Sequence, residues 1–319
     1  MKKKILIIEK IHEDGLKLLD SRKDIEYELV ENCETNYLSE KLKDCDAITL
    51  RNIDFNKELI TAAPKLKIIS RHGVGYDNVD LQTAKERNII LAITPKANSV
   101  SVAEHVFFMM LNISRGFDIY DTFTREKDFE TRTDLDLTKE LWNKNILIIG
   151  FGRTGKSLIK RCIGFDMNVF VYDPYIEKEL IKEYGGKKTD DYKTTIKDMD
   201  YVSVHTPLTK ETKNMINIEV LNSMKKSSIL INTARGGVIN EKDLNEALNK
   251  NNIFGVGLDV YENEPISLNN PLLKNKKIFL TPHAATHTKE CTIRMAKDTV
   301  QNIIDFFDNK LEQSNIVKL

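Results

Sequence analysis

Ile146-Leu147-Ile148-Ile149 runs directly into Gly150-Phe151-Gly152-Arg153-Thr154-Gly155, a helix-period stretch follows, and a second apolar run ends at Asp173. Strand, glycine-rich turn, helix and second strand in immediate succession define a βαβ unit. Gly150 permits the tight turn, Gly152 lets a ligand approach the backbone, and Gly155 lets the helix sit close to the strand. The opening N–H groups of such a helix have no intrahelical acceptor, and its dipole is positive there, so the turn suits a phosphate. Asp173 comes 18 residues after Gly155. A carboxylate at that strand end accepts hydrogen bonds from both ribose hydroxyls and repels a 2′-phosphate, which favours NAD over NADP. Arg153 adds a donor for the pyrophosphate. Glycine-rich turns also occur in other α/β proteins, methyltransferases included; the flanking strands and Asp173 favour the dinucleotide.

The rest of the chain repeats this alternation. Apolar runs at Lys4–Ile8, Ile25–Val30, Ala47–Leu50, Leu66–Ser70 and Ile89–Ile93 are separated by helix-period stretches. A second series of strand candidates comprises Asn145–Ile149, Asn168–Tyr172, Tyr201–His205, Ser228–Asn232, Ile253–Leu258 and Ile278–Leu280. Short continuous apolar strands between helices predict parallel sheets covered on both faces. The 319 residues suit two such α/β domains. Between the series, Asn98–Tyr120 reads as one long helix, Asp118–Leu141 as a polar surface connection, and Lys289–Phe307 as a C-terminal helix able to pack back on the first domain.

Lys+Arg and Asp+Glu both number 48, which points away from nucleic acid or an anionic membrane as the main partner. No apolar run approaches the ~20 residues of a membrane span. Cys33, Cys45, Cys162 and Cys291 are scattered, as expected of reduced thiols in a cytoplasmic protein without a metal site.

Three loops carry chemistry. Asn232–Gly237, Asp259–Pro265 and Thr281–Ala285 each follow a strand, and in an open parallel sheet such loops face the ligand crevice. They deliver Arg235, Glu264 and His283. A histidine can exchange the hydroxyl proton of a secondary alcohol, a carboxylate can orient its ring, and an arginine can grip a carboxylate with two hydrogen bonds. A nicotinamide would supply the redox chemistry. Taken singly, each of the three side chains also suits a turn, a cap or a solvated surface.

Together these segments resemble the D-isomer-specific 2-hydroxyacid dehydrogenase family, including its phosphoglycerate dehydrogenases. The resemblance spans nearly the whole chain, through Ser70–Asp80, Asn98–His105, Gly150–Gly155, Val204–Leu208, Asn232–Gly237, Asp259–Pro265 and Thr281–His283. It implies two doubly wound domains, with a Rossmann NAD-binding domain (about 99–287) inserted in a flavodoxin-like substrate-binding domain (1–98 plus about 288–319). It implies catalytic Arg235, Glu264 and His283, with His283 as acid/base. The implied cofactor contacts are Gly150, Gly152, Arg153, Thr154, Gly155, Asp173, His205, Thr206, Pro207, Thr233, Ala234, Asp259 and Ala285. For substrate, Val74 and Gly75 would offer backbone N–H groups, and Arg51, Arg71 and Asn98 would add contacts. His72, His105 and His205 compete less well for the acid/base role, and His105 reads as structural.

Asn143, Lys96 and Ala284-Ala285 depart from common family residues; the last two bear on pocket shape. Arg51, Arg71 and Lys96 are cations placed to take a substrate phosphate, although most such residues are solvated. The expectation is therefore D-3-phosphoglycerate dehydrogenase-like activity in a homodimer, with hydroxypyruvate or glyoxylate reduction, or an NAD(H)-sensing corepressor-like protein, as alternatives.

Overall fold

The computed structural model describes residues 2–127 and 129–319. Met1 and Asp128 lie outside the described residues, the latter within the expected 118–141 connection. The chain divides into two compact units: one runs to Ser99 and resumes at Thr286, and the other spans Val100–Ala285.

The first unit holds β1 (Lys3–Ile8), β2 (Ile25–Val30), β3 (Ala47–Leu50), β4 (Ile68–Arg71) and β5 (Ile90–Ala92). They form one parallel sheet in the order β2-β1-β3-β4-β5. This is the flavodoxin-like order, whose switch point lies between β1 and β3. One face packs under Leu38, Leu42, Leu59 and Ile60. The C-terminal helix Lys289–Phe307 covers the other, placing Ala296, Val300 and Ile303 against Ile5, Ile7 and Leu19. Gly15 makes that packing close, since a Cβ there would lie 2.7 Å from the Ala296 carbonyl oxygen.

The second unit holds β6 (Asn145–Ile149), β7 (Asn168–Tyr172), β8 (Lys187–Lys188), β9 (Tyr201–Val204), β10 (Ile229–Asn232), β11 (Gly255–Leu258) and β12 (Ile278–Leu280). The parallel order is β12-β11-β10-β9-β6-β7-β8, a Rossmann arrangement extended by β12, with its switch point between β6 and β9. β6, β9, β10 and β11 are apolar almost throughout because both faces are covered. Helix Ser99–Arg115 lies on one face, where a Cβ on Gly255 would fall 2.8 Å from Ile113 Cγ2 and one on Gly257 2.9 Å from Met109 Sδ.

The expected fold class holds, and three local expectations are corrected. The single helix over 98–120 is two, Ser99–Arg115 and Phe117–Glu126, because Gly116 adopts φ 58° and its N–H closes on the Asn112 carbonyl. The polar stretch after Asp118 consequently begins as helix, not as a connection. β8 has no counterpart among the expected strands; two lysines carry no apolar signal.

Candidate active site

The βαβ turn is built as its spacing implies. Gly150 has φ 96°, and a Cβ on it would stand 2.7 Å from the His205 carbonyl oxygen, so the turns after β6 and β9 touch there. A Cβ on Gly155 would lie 2.4 Å from the Gly150 carbonyl oxygen, which brings helix Arg153–Gly164 tight against β6. At Gly152 a Cβ would meet nothing within 4 Å. Gly152 is also the N-cap residue, and among the described residues no side chain caps the helix. The helix start is therefore uncapped, with open space at Gly152 beside exposed Arg153 and half-buried Thr154. That geometry fits a pyrophosphate.

Asp173, at the end of β7, accepts from the Phe151 N–H at 2.8 Å through Oδ2 and from the Tyr175 N–H at 2.9 Å through Oδ1. Each oxygen retains lone-pair capacity for a ribose hydroxyl. The carboxylate thus braces the glycine turn, a task its sequence position did not announce. Beyond β9, His205 Nε2 lies 2.8 Å from Ser203 Oγ, and burial pushes its pKa down to about 4. A neutral, committed imidazole makes a poor proton carrier. Thr206 and Pro207 occupy the same turn, where the Thr206 hydroxyl faces Met215 Sδ at 3.9 Å and the Pro207 carbonyl accepts from Thr212 Oγ1 at 2.6 Å.

After β10, Asn232 ties its own loop by accepting from the Ala234 N–H at 3.0 Å and donating to the Arg235 carbonyl at 2.9 Å. Arg235 Nη1 donates to the Ala234 carbonyl at 2.7 Å. The next residue must be glycine, since a Cβ on Gly236 would come 1.7 Å from the Tyr261 carbonyl oxygen. Among the described residues, the buried Thr233 Oγ1 has no hydrogen-bond partner.

After β11, the Tyr261 N–H donates to Glu264 Oε1 at 3.0 Å, and His283 Nδ1 lies 2.7 Å from Glu264 Oε2. The hydrogen bond to Glu264 raises the His283 pKa against the opposing effect of burial. Burial pushes Glu264 upward, but its bonds from His283 and the Tyr261 N–H outweigh this and leave its pKa lowered. The shifts agree in favouring an imidazolium–carboxylate pair, with Nδ1 donating and Nε2 left to exchange a proton. His283 holds φ 51°, a left-handed backbone that few non-glycine residues adopt and histidine adopts more readily than most. Asp259 is fully buried and accepts from the Thr281 hydroxyl, the Ala284 N–H and the Ala285 N–H at 2.6, 2.7 and 2.9 Å. Ala285 is buried as well, and its carbonyl accepts from Ser101 Oγ at 2.8 Å. Asp259 and Ala285, both expected as cofactor contacts, therefore build the histidine turn.

In the first unit, Arg51 follows β3, Arg71 ends β4, and Val74 and Gly75 lie in the next turn. Among the described residues the Val74 and Gly75 N–H groups have no protein acceptor, and Gly73 at φ 136° shapes that turn. Arg71 is engaged by Asn78 Oδ1 at 3.2 Å and the His72 carbonyl at 2.8 Å, and Arg51 Nη1 by the Lys10 carbonyl. Lys96 instead pairs with Glu312 at 3.0 Å, and Asn98 is half-buried just before helix Ser99–Arg115. Burial, with Arg51 and Arg71 nearby, pushes His72 down to about 3.

The sequence profile of the D-isomer specific 2-hydroxyacid dehydrogenase NAD binding domain matches residues 107–285. The chain is 37% identical over 288 residues to a D-3-phosphoglycerate dehydrogenase of Methanocaldococcus jannaschii, covering 90% of this chain and 54% of that protein. It is 36% identical to a glyoxylate reductase of Thermococcus litoralis, covering 100% of this chain and 98% of that one. The chain thus spans about half the length of the first relative and nearly all of the second. A formate dehydrogenase of Staphylococcus aureus, solved with NAD, superposes with a TM-score of 0.84 at 28% identity, covering 99% of each chain. The chain belongs to the D-isomer specific 2-hydroxyacid dehydrogenase family, and its second unit carries that family's NAD-binding domain.

Proposed function

We propose that this chain interconverts a D-2-hydroxy acid and its 2-oxo acid with NAD. The observation that carries this reading is the His283–Glu264 pair, poised for proton exchange beyond the same sheet edge that bears the glycine turn and Arg235. When bound, the nicotinamide exchanges a hydride with the substrate carbon. His283 Nε2 gives a proton to the carbonyl oxygen in reduction and takes it from the hydroxyl in oxidation. Glu264 keeps Nδ1 protonated and stabilises the imidazolium, and Arg235 anchors the substrate carboxylate. Residues 1–98 with 288–319 serve as the substrate-binding domain, with Arg51 and Arg71 as cations for a further anionic group. Those cations favour D-3-phosphoglycerate as substrate; Arg51 gives one bond to the Lys10 carbonyl, whereas Arg71 is tied to its own loop through both Nε and Nη1.

Glyoxylate or hydroxypyruvate reduction is the second reading, supported by the nearly full-length match to the Thermococcus reductase. Oxidation of NADH against phosphohydroxypyruvate, hydroxypyruvate, glyoxylate and pyruvate decides between them. Phosphohydroxypyruvate is expected to give the highest kcat/KM, and replacing Arg51 with alanine to lower that value alone. A higher value for glyoxylate would overturn the phosphate assignment. Turnover of none of them would favour a binding protein that senses NAD(H).

Asp173 selects NAD. Replacing it with alanine should erode the NADH-over-NADPH ratio of kcat/KM and raise KM for both cofactors, since the Phe151 and Tyr175 N–H groups lose their acceptor. An unchanged ratio would remove Asp173 from cofactor choice.

A second copy of the chain is the partner we assign to the exposed apolar face around Phe108, Phe117 and Ile119. No helix among the described residues is long and apolar enough to cross a membrane; a cytoplasmic location accords with the four free cysteines.

A further inference from the structure

His105 lies on helix Ser99–Arg115, 176 positions from Thr281 in sequence, yet its Nε2 stands 3.0 Å from Thr281 Oγ1. The Thr281 hydroxyl is 2.6 Å from Asp259 Oδ1. A hydroxyl has one hydrogen, and an ionised carboxylate only accepts. That hydrogen therefore goes to Asp259, and Oγ1 accepts from the Nε2–H of His105. The chain of bonds fixes the His105 tautomer and orients the Thr281 hydroxyl. Asp259 in turn holds the next residues: its oxygens take the Ala284 and Ala285 N–H groups, and its carbonyl takes the His283 N–H at 2.9 Å. His283 thus keeps its left-handed backbone in a turn suspended on Asp259.

We propose that His105 is a positioning residue for the reaction, acting through Thr281 and Asp259 to hold the turn that carries His283. The inference rests on the reading of His283 as acid/base. The groups around the imidazole agree with the role. Asp259 Oδ1 approaches Nε2 to 3.7 Å, Phe108 flanks the ring at 6.0 Å, and Glu104 on the same helix is turned outward to Arg161. Burial lowers the His105 pKa against the pull of Asp259, so the ring serves as a neutral donor. A histidine in this place does what a purely apolar residue cannot: it occupies the spare lone pair of Thr281 and forces the hydroxyl hydrogen onto Asp259. This is the outer-layer orientation that active-site side chains require for a productive geometry.

The test compares His105→Leu with His105→Gln, which keeps an N–H donor at about the reach of Nε2, and Thr281→Val with Thr281→Ser, which keeps the hydroxyl. The Leu and Val variants are expected to lower kcat for reduction of the best 2-oxo acid roughly ten- to hundredfold, with KM for NADH within about twofold, and Gln and Ser to recover most of the loss. Equal losses in Leu and Gln, or an unchanged kcat in both Leu and Val, would overturn the proposal. Should His105→Leu fail to fold, the two Thr281 variants make the same comparison. His283→Ala, measured alongside, separates the two readings. Turnover that survives there defeats the acid/base assignment, whereas its loss with kcat intact in His105→Leu and Thr281→Val defeats only the positioning role.

Discussion

Replacing His283 with alanine should lower kcat for 2-oxo acid reduction by about 10²- to 10⁴-fold, the usual contribution of a positioned acid/base, and leave NADH affinity nearly unchanged. The cofactor turn is remote in sequence and is built without His283: Gly150, Gly155 and Asp173 hold it through their own contacts. Steady-state kinetics with a fluorescence titration of NADH checks both halves. Wild-type turnover in the variant would dismiss the assignment. The same residue sets the pH profile. Reduction consumes the imidazolium, and the hydrogen bond to Glu264 raises the His283 pKa above its ordinary value of about 6.5. Reduction should therefore fall as pH rises through that raised pKa, at higher pH than for an ordinary histidine, while oxidation rises over the same interval. Replacing Glu264 with glutamine should move both limbs to lower pH. The pair has a matching signature in stability. What His283 contributes is present below its unfolded pKa and lost as pH rises through the folded one. What Glu264 contributes is present above its unfolded pKa and lost as pH falls through its lowered one.

The parts of this molecule legible in the sequence are those whose cause is local. Gly150 and Gly155 mark their turn because each answers a contact within a few residues or across one strand, and Gly152 because it leaves open space at the helix start. The strands of both sheets are visible as apolar runs because parallel sheets bury both faces. Gly116 leaves a weaker trace: the apolar spacing continues past it to Phe117 and Ile119, so periodicity alone runs two helices together, and only the positive φ separates them. Long-range bonds leave no such trace. Nothing near Asp173 announces that it will brace the Phe151 N–H, and nothing in Asp259 says that its oxygens will be consumed by Thr281, Ala284 and Ala285. His105 looks like one more helix residue because its partner is 176 positions away. A glutamate, a histidine and an arginine at three strand ends stand out in the sequence as a set. The acceptor and donor assignments that make Nε2 of His283 the exchanging atom require the folded contacts.

Replacing Arg235 with alanine should lower kcat/KM for the 2-oxo acid by about 10²- to 10⁴-fold, since two charge-assisted hydrogen bonds are each worth about 1.5–3 kcal/mol. Lysine should restore only part of this, because an ammonium keeps the charge but not the planar fork that matches a carboxylate. The loop itself should survive either change: Asn232 bonds to backbone groups at Ala234 and Arg235, and Gly236 sets the close approach to Tyr261. NADH affinity is therefore the control, and a kcat/KM within a few-fold of wild type would show that the carboxylate is held elsewhere. Arg235 also acts on the acid/base pair. Its positive charge opposes protonation of His283 and favours ionised Glu264. Removing it lifts the His283 pKa, so whatever reduction remains in the alanine variant should hold to higher pH than in wild type, the direction opposite to that expected for Glu264→Gln. Two substitutions that both weaken turnover but move the pH limb in opposite directions distinguish a charge acting on His283 from general damage to the site, which would move neither.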